Sequence, residues 1–151
     1  MPEGEHLVEV HASPEAVWDF VKDMDNWAPL VPGYVSHTQI NERASRWTLK
    51  GDVGILTKKV EFKVTITEWV APSKIAFTLK GIDENASGKG HFIAEPKSVN
   101  ATWVTGYLVL EQGGMLGPMV NSLLKKVMPK TTREFVNKLA ARIEVTSHAR
   151  V

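Results

Sequence analysis

The feature that most constrains this chain is a change of hydrophobic period. Between Tyr34 and Glu111 apolar residues recur at every second position, and beyond Gly113-Gly114 they recur at every third or fourth. A period of two describes strands with one buried face, and a period near 3.6 describes a helix with one apolar stripe. Residues 58–68 alternate most clearly, with Val60, Phe62, Val64 and Ile66 facing one way and Lys59, Glu61, Lys63, Thr65 and Thr67 the other. Residues 46–56 (Trp47, Leu49, Val53, Ile55) and 75–79 (Ile75, Phe77, Leu79) repeat the pattern. Residues 101–111 are apolar on both faces, as a central strand would be, and parity alone leaves open which face turns inward. Turns are expected at Ala71-Pro72-Ser73, Asp83-Glu84-Asn85 and residues 95–100. Connections this short require antiparallel pairing.

Ahead of this meander, residues 5–12 read as a short strand. Ser13-Pro14-Glu15 then opens a helix, with Ser13 as N-cap and Pro14 at its first position, where a missing N–H costs nothing. Its stripe is Ala16, Val17, Phe20 and Val21, with Trp18 to one side. Trp27–Val31 makes one or two further turns, ended by Pro32-Gly33. After the meander, Leu116, Val120, Leu123, Val127, Phe135, Leu139 and Ile143 mark a helix of ~30 residues, or ~45 Å. Pro129 predicts a bend near Met128, and the end beyond Thr146 is expected to fray. The class is therefore α+β: a curved antiparallel sheet of about seven strands wrapped around a long C-terminal helix, with two short helices after the first strand. One domain is expected over 1–151, with its core at about 5–145.

Composition narrows the function classes. The chain has 151 residues and no cysteine, which rules out disulfides, cysteine nucleophiles and thiolate metal sites. His6, His11, His37, His91 and His148 show no ligand spacing and read as scattered surface histidines, so no metal or other cofactor is expected. The start has no basic segment followed by an apolar run, and nothing approaches the ~20 apolar residues of a membrane span, so the expected location is cytoplasmic. No nucleophile elbow or phosphate-binding loop is present. Residues 1–112 hold 11 Lys/Arg against 15 Asp/Glu, a net of −4, and residues 113–151 hold 7 against 2, a net of +5. The excess (Lys125, Lys126, Lys130, Arg133, Lys138, Arg142) belongs to the last helix. It reads as a solvated face or as a docking surface for anionic lipid or an acidic partner. Nucleic acid is not expected, because overall charge is near zero and no strand interleaves aromatic with basic residues.

Three stretches resemble a known superfamily. Val10-His11-Ala12-Ser13-Pro14-Glu15-Ala16-Val17-Trp18-Asp19-Phe20 is similar to the opening of START-like, or Bet v 1-like (SRPBCC), proteins. Leu30-Val31-Pro32-Gly33-Tyr34 resembles the corner of the subgroup named for the G subunit of carbon-monoxide dehydrogenase. Glu111–Gly117 leading into Phe135–Leu139 resembles that subgroup's strand-to-helix junction and terminal helix. The resemblance covers about residues 6–145. It implies a helix-grip fold with a cavity between sheet and helix, in a superfamily of lipid and quinone carriers, receptors and polyketide cyclases. The chain lacks the extension of longer subgroup members, so direct membrane anchoring is not expected.

The leading expectation is a binding or carrier protein for a hydrophobic small molecule such as a lipid, an isoprenoid quinone or a polyketide-like compound. The expected lining is Trp47, Leu49, Phe62, Val64, Phe77, Leu79, Phe92, Trp103 and Tyr107 from the sheet. Met115, Met119, Leu123 and Val127 come from the helix, with Trp27 and Val31 at the mouth. Glu68 shares parity with Val60–Ile66 and is the candidate polar group of the cavity, unless the strand leaves the core before it. Two alternatives stand beside this one. The first is an accessory protein that docks on a larger oxidoreductase or a membrane through its basic helix. The second is a cyclase- or dehydratase-type enzyme using Glu68 or His91 with Tyr107. No catalytic residue is assigned, and the sequence leaves the oligomeric state open.

Overall fold

A computed structural model describes residues 2–53, 56–82 and 85–149. The expected apolar position at Ile55 and the turn residues Asp83 and Glu84 lie outside the described residues. Seven strands form one antiparallel sheet: β1 Glu3–Val10, β2 Tyr34–Gln39, β3 Ala44–Val53, β4 Leu56–Val70, β5 Lys74–Gly81, β6 Ala86–Ser98 and β7 Ala101–Gln112. Their order is β1-β7-β6-β5-β4-β3-β2, so β2 through β7 is a simple meander and β1 closes on β7. Between β1 and β2 lie helix α1 (Pro14–Val21), the single turn α2 (Met24–Trp27) and a 3-10 turn (Ala28–Leu30). Helix α3 (Gly117–Ala149) follows β7.

Local chemistry explains the ends of these elements. The Ser13 hydroxyl accepts the Ala16 N–H at 3.1 Å, with Pro14 in the first turn of α1. Trp18, expected beside the stripe, is buried, with its ring edge-to-face with Trp69 at 5.8 Å. At the other end of the sheet, Gln112 N–H donates to Asn121 Oδ1 at 2.8 Å and Asn121 Nδ2 donates back to the Gln112 carbonyl at 3.0 Å. This pair ties the first turns of α3 to the end of β7.

Helix α3 runs 33 residues without a break through Pro129. Proline there removes one N–H, whose partner would have been the Lys125 carbonyl. Both residues lie on an exposed side, where water satisfies the carbonyl. The helix also continues past Thr146 to Ala149. Its buried stripe is Met128, Thr132, Val136, Leu139, Ala140 and Ile143. Leu116, expected in the stripe, precedes the helix and is exposed.

This rear half packs on β1 and β7 at close range, which the sequence accommodates with glycine. A methyl group at Gly4 would meet the Met128 carbonyl at 2.6 Å and run into the Thr132 side chain. Gly4→Ala is therefore expected to cost about 1–3 kcal/mol of stability through overpacking, read by urea denaturation. An unchanged midpoint would mean that the helix moves away freely.

Candidate functional site

Pairing register fixes which side of each strand faces α3. Gly4, His6, Val8 and Val10 of β1 stand opposite Leu108, Gly106, Val104 and Thr102 of β7. His6 Nε2 lies 3.1 Å from Asn137 Oδ1 of the helix, and a methyl group on Gly106 would meet Val136 of the helix. Even-numbered residues of β7 therefore point inward. The same ladder carries Phe92, Phe77, Leu79, Ile66, Val64 and Phe62 to the inner face, and Trp47 and Leu49 with them.

Trp103 and Tyr107, expected in the cavity, stand on the outer face. Tyr107 stacks on His91 at 5.0 Å and donates its hydroxyl to Glu3 Oε2 at 2.8 Å. Trp103 is 36% exposed beneath Lys97, whose ammonium lies 4.9 Å from the ring centroid. The small residue that β7 turns to the helix is Gly106, which leaves Trp103 and Tyr107 on the outer face.

Glu68 is also on the outer face. A register shift between Ile66 and Glu68 places two residues of β4 opposite one of β5. This bulge reverses parity. Glu68 therefore stands beside Ala76 and pairs with Lys74 at 3.2 Å, half-exposed, while Trp69 turns inward against Trp18. Glu68, His91 and Tyr107 thus share the outer surface, and the cyclase arrangement built on them does not converge inside the fold.

The outer cluster has its own electrostatics. Burial beneath its neighbours, reinforced by Lys74, holds the His91 imidazole below its ordinary value, with Glu5 and Glu68 opposing. The hydrogen bond to Glu3, with burial and the Glu5 charge adding to it, raises the Tyr107 phenol. Lys97 lowers Glu9 through a 2.8 Å hydrogen bond. A histidine that resists protonation in the fold destabilises it once the unfolded chain begins to protonate. Stability should therefore be lost as pH falls below about 6.5. His91→Gln is expected to gain in melting temperature relative to the parent at pH 5.5 compared with pH 7.5. A constant difference would show that His91 does not carry this dependence.

The inner face of β3–β6 is apolar and incompletely covered. Helix α3 lies mainly over β1 and β7. Leu49, Val60, Phe77, Leu79, Phe92, Leu108 and Leu110 share the inward parity, yet each is only half-buried. Val120, Leu123 and Leu124, on the front half of α3, are also half-buried. A filled core would bury such residues almost completely, so the apolar inner surface facing the front of the helix is left partly open. Its far end is closed by the corner after α2. Trp27 stacks on Trp47 at 5.7 Å and meets Phe135 edge-on at 6.4 Å, while Ala28 and Val31 pack with Trp47 and Val64. Trp27 is held by its Nε1–H to the Val21 carbonyl at 3.0 Å. Of the expected helix residues, Leu123 is half-buried, whereas Met119, Val127 and above all Met115, fully exposed, stand toward solvent.

The polar group of this corner is hidden from strand parity. His37, read as a scattered surface histidine, has a side chain only 10% exposed and stacks on Trp47 at 5.2 Å. Its Nδ1 lies 2.6 Å from the Tyr34 hydroxyl and its Nε2 lies 2.8 Å from Asp25 Oδ1. A second register shift, between Tyr34 and Ser36, puts both Tyr34 and His37 on the inner side although they are three residues apart. The glycine before it, Gly33, has φ +80°, and a side chain there would run into the Lys50 carbonyl. Two other surface hollows are present. One of about 380 Å³ lies between α1–α2 and the end of β4, floored by Ile66, Trp69, Ile75 and Trp27 and rimmed by Asp23, Asp25 and Glu42. One of about 260 Å³ lies at Pro2, Glu111, Pro118 and Lys125. Among the described residues, no group of three or more His, Asp or Glu is arranged to hold a metal, and no helix is long and apolar enough to cross a membrane.

A curved seven-stranded antiparallel sheet that grips one long C-terminal helix defines an α+β helix-grip fold. A protein-family model matches residues 1–145, so the chain belongs, over nearly its whole length, to the family that this model describes. No curated protein matches it. Among solved structures it is similar to a protein from Thermus thermophilus (24% identity, 97% of this chain and 99% of that one, TM-score 0.76). It is also similar to the Zhui aromatase/cyclase from Streptomyces sp. R1128 (17%, 94% and 93%, TM-score 0.70). A START superfamily protein from Mycobacterium smegmatis matches at 19% identity over 99% of both chains, with a TM-score of 0.63.

Proposed function

We propose that the chain binds or carries a hydrophobic small molecule (a lipid, an isoprenoid quinone or a polyketide-like compound) in the cleft between its sheet and the front half of α3. The observation that carries this reading is the set of half-buried apolar residues, Leu49, Phe77, Leu79 and Phe92 among them, on an inward face. Such a surface is stabilised by an apolar occupant. Burying ~300 Å² of apolar ligand contributes ~7 kcal/mol before association costs, enough for micromolar binding without a special polar site. The contacts proposed are Leu49, Phe62, Val64, Phe77, Leu79 and Phe92 from the sheet, Leu123 from the helix, and Trp27, Val31 and Trp47 at the corner. Similarity in fold to an aromatase/cyclase and to a START superfamily protein supports an occupant of this kind. Native mass spectrometry with solvent extraction of freshly purified protein tests it. A hydrophobic compound near one per chain supports the reading, and an empty protein that also rejects fluorescent lipid and quinone analogues counts against it.

A second reading, docking on an anionic membrane or an acidic face of a larger oxidoreductase, is supported by the front of α3. Met115 is fully exposed and Leu116 and Met119 are 61% and 49% exposed, close in sequence to exposed Lys125 and Lys126. Apolar side chains beside basic ones suit a lipid surface, where each basic residue contributes ~1 kcal/mol. The protein is expected to sediment with phosphatidylglycerol vesicles at low salt, and Leu116→Asp to weaken this severalfold. Equal sedimentation with uncharged phosphatidylcholine vesicles would remove the electrostatic part of this reading. The resemblance of the Leu30–Tyr34 corner to the carbon-monoxide-dehydrogenase subgroup and a cytoplasmic location, suggested by the lack of cysteine, belong to the same proposal.

A further inference from the structure

Asp25, His37 and Tyr34 form a directed chain of hydrogen bonds from water to the apolar corner. Asp25 has a side chain 80% exposed, and His37 only 10%. Tyr34, half-buried, packs with the Trp47–Val64 cluster and stands opposite Leu49 of the cleft. An ionised carboxylate can only accept, so in the singly protonated imidazole the 2.8 Å contact puts the proton on Nε2. Nδ1 is then the lone-pair nitrogen, and at 2.6 Å it accepts the Tyr34 O–H. The phenol has thereby used its only donor and retains acceptor lone pairs. A bulge exists in β2 to bring these two side chains to one face, and bulges beside sites commonly re-aim a side chain in this way.

We propose that Tyr34 is the polar anchor of the cleft and selects apolar ring compounds that bring a hydroxyl donor, with His37 and Asp25 as positioning residues. This rests on the hydrophobic-ligand reading above. A ligand phenol, enol or alcohol donates to the Tyr34 oxygen. A bare ether, ester or quinone carbonyl meets acceptor with acceptor and gains nothing. The anchor is directional because Asp25 fixes the imidazole tautomer. Without the carboxylate, His37 can also carry its proton on Nδ1 and donate to Tyr34, which frees the Tyr34 O–H to donate in that tautomer and weakens the preference.

Binding of 2-naphthol and of its methyl ether, 2-methoxynaphthalene, separates the possibilities, because the two share a ring system and differ in the donor. The parent protein is expected to bind 2-naphthol about five- to tenfold more tightly, the range of one hydrogen bond. Tyr34→Phe is expected to abolish that preference while leaving the ether within twofold. Asp25→Asn, a change at an exposed carboxylate, is expected to reduce the preference with the melting temperature unchanged, which a purely structural role would not produce. It also keeps the test decisive if Tyr34→Phe folds poorly. A preference that persists in Asp25→Asn and in a folded Tyr34→Phe overturns the anchor and leaves the cleft standing. Failure of the parent to bind either compound overturns the hydrophobic-ligand reading and the anchor together.

Discussion

Replacing Trp47 with alanine is expected to lower the free energy of unfolding by about 3–5 kcal/mol. The side chain is 4% exposed and lies between Trp27 at 5.7 Å and His37 at 5.2 Å, both nearly parallel to it, with Tyr34 edge-on at 5.7 Å. Its Nε1–H donates to Ser45 Oγ at 2.9 Å, and Ser45 is 1% exposed, so truncation also leaves a buried hydroxyl without a partner. No neighbour is free to fill the space. Trp27 is tied to the Val21 carbonyl and His37 to Asp25 and Tyr34. Urea denaturation reads the loss. Trp103→Ala is the control. That indole stands on the outer face, 36% exposed, and its loss should cost less than about 1 kcal/mol. Equal losses at the two positions would contradict the assignment of inner and outer faces.

Leu79→Arg is expected to weaken binding of an uncharged apolar ligand about 100-fold, or ~2.7 kcal/mol, while the protein stays folded. Leu79 lies on the inward face of β5, opposite Val64 and Gly88, and is half-buried. In the empty cleft an arginine there reaches water along its flexible stem. An apolar occupant strips that water from the guanidinium, and no inward carboxylate is present among the described residues of the neighbouring strands to replace it. The penalty therefore falls on the complex and spares the free protein. Unchanged affinity in a folded Leu79→Arg would place the ligand elsewhere, with the hollow floored by Trp69 and Ile75 as the next candidate.

Most of the fold was legible because periodicity survives within each element. Val60 to Ile66 alternates without interruption, and Ser13-Pro14 announces α1 through the chemistry of its own backbone. The site was less legible because two bulges each reverse parity. The one after Ile66 sends Glu68 out to Lys74 and brings Trp69 in to Trp18. The one after Tyr34 brings His37 in under Trp47. Counting by twos across either bulge gives the wrong face. In β7, apolar residues on both faces removed the signal altogether, and the deciding residue was Gly106, whose missing side chain admits Val136 of the helix. The helix stripe was displaced for a related reason. Its rear half packs on β1 and β7 through Met128, Thr132 and Val136, while Met115 and Met119 at the front stay in solvent. Pro129 sits on a solvated side, where water can satisfy the carbonyl that loses its partner, so the helix continues through it.

The half-buried inner face of β3–β6 is the proposed binding surface for an apolar molecule. Titration of the intact protein with the uncharged fluorophore N-phenyl-1-naphthylamine tests it most directly. One saturable site per chain at micromolar concentration is expected, displaced by a long-chain fatty acid and lost in Leu79→Arg. A linear, unsaturable signal that is identical in the parent and in folded Leu79→Arg would contradict it.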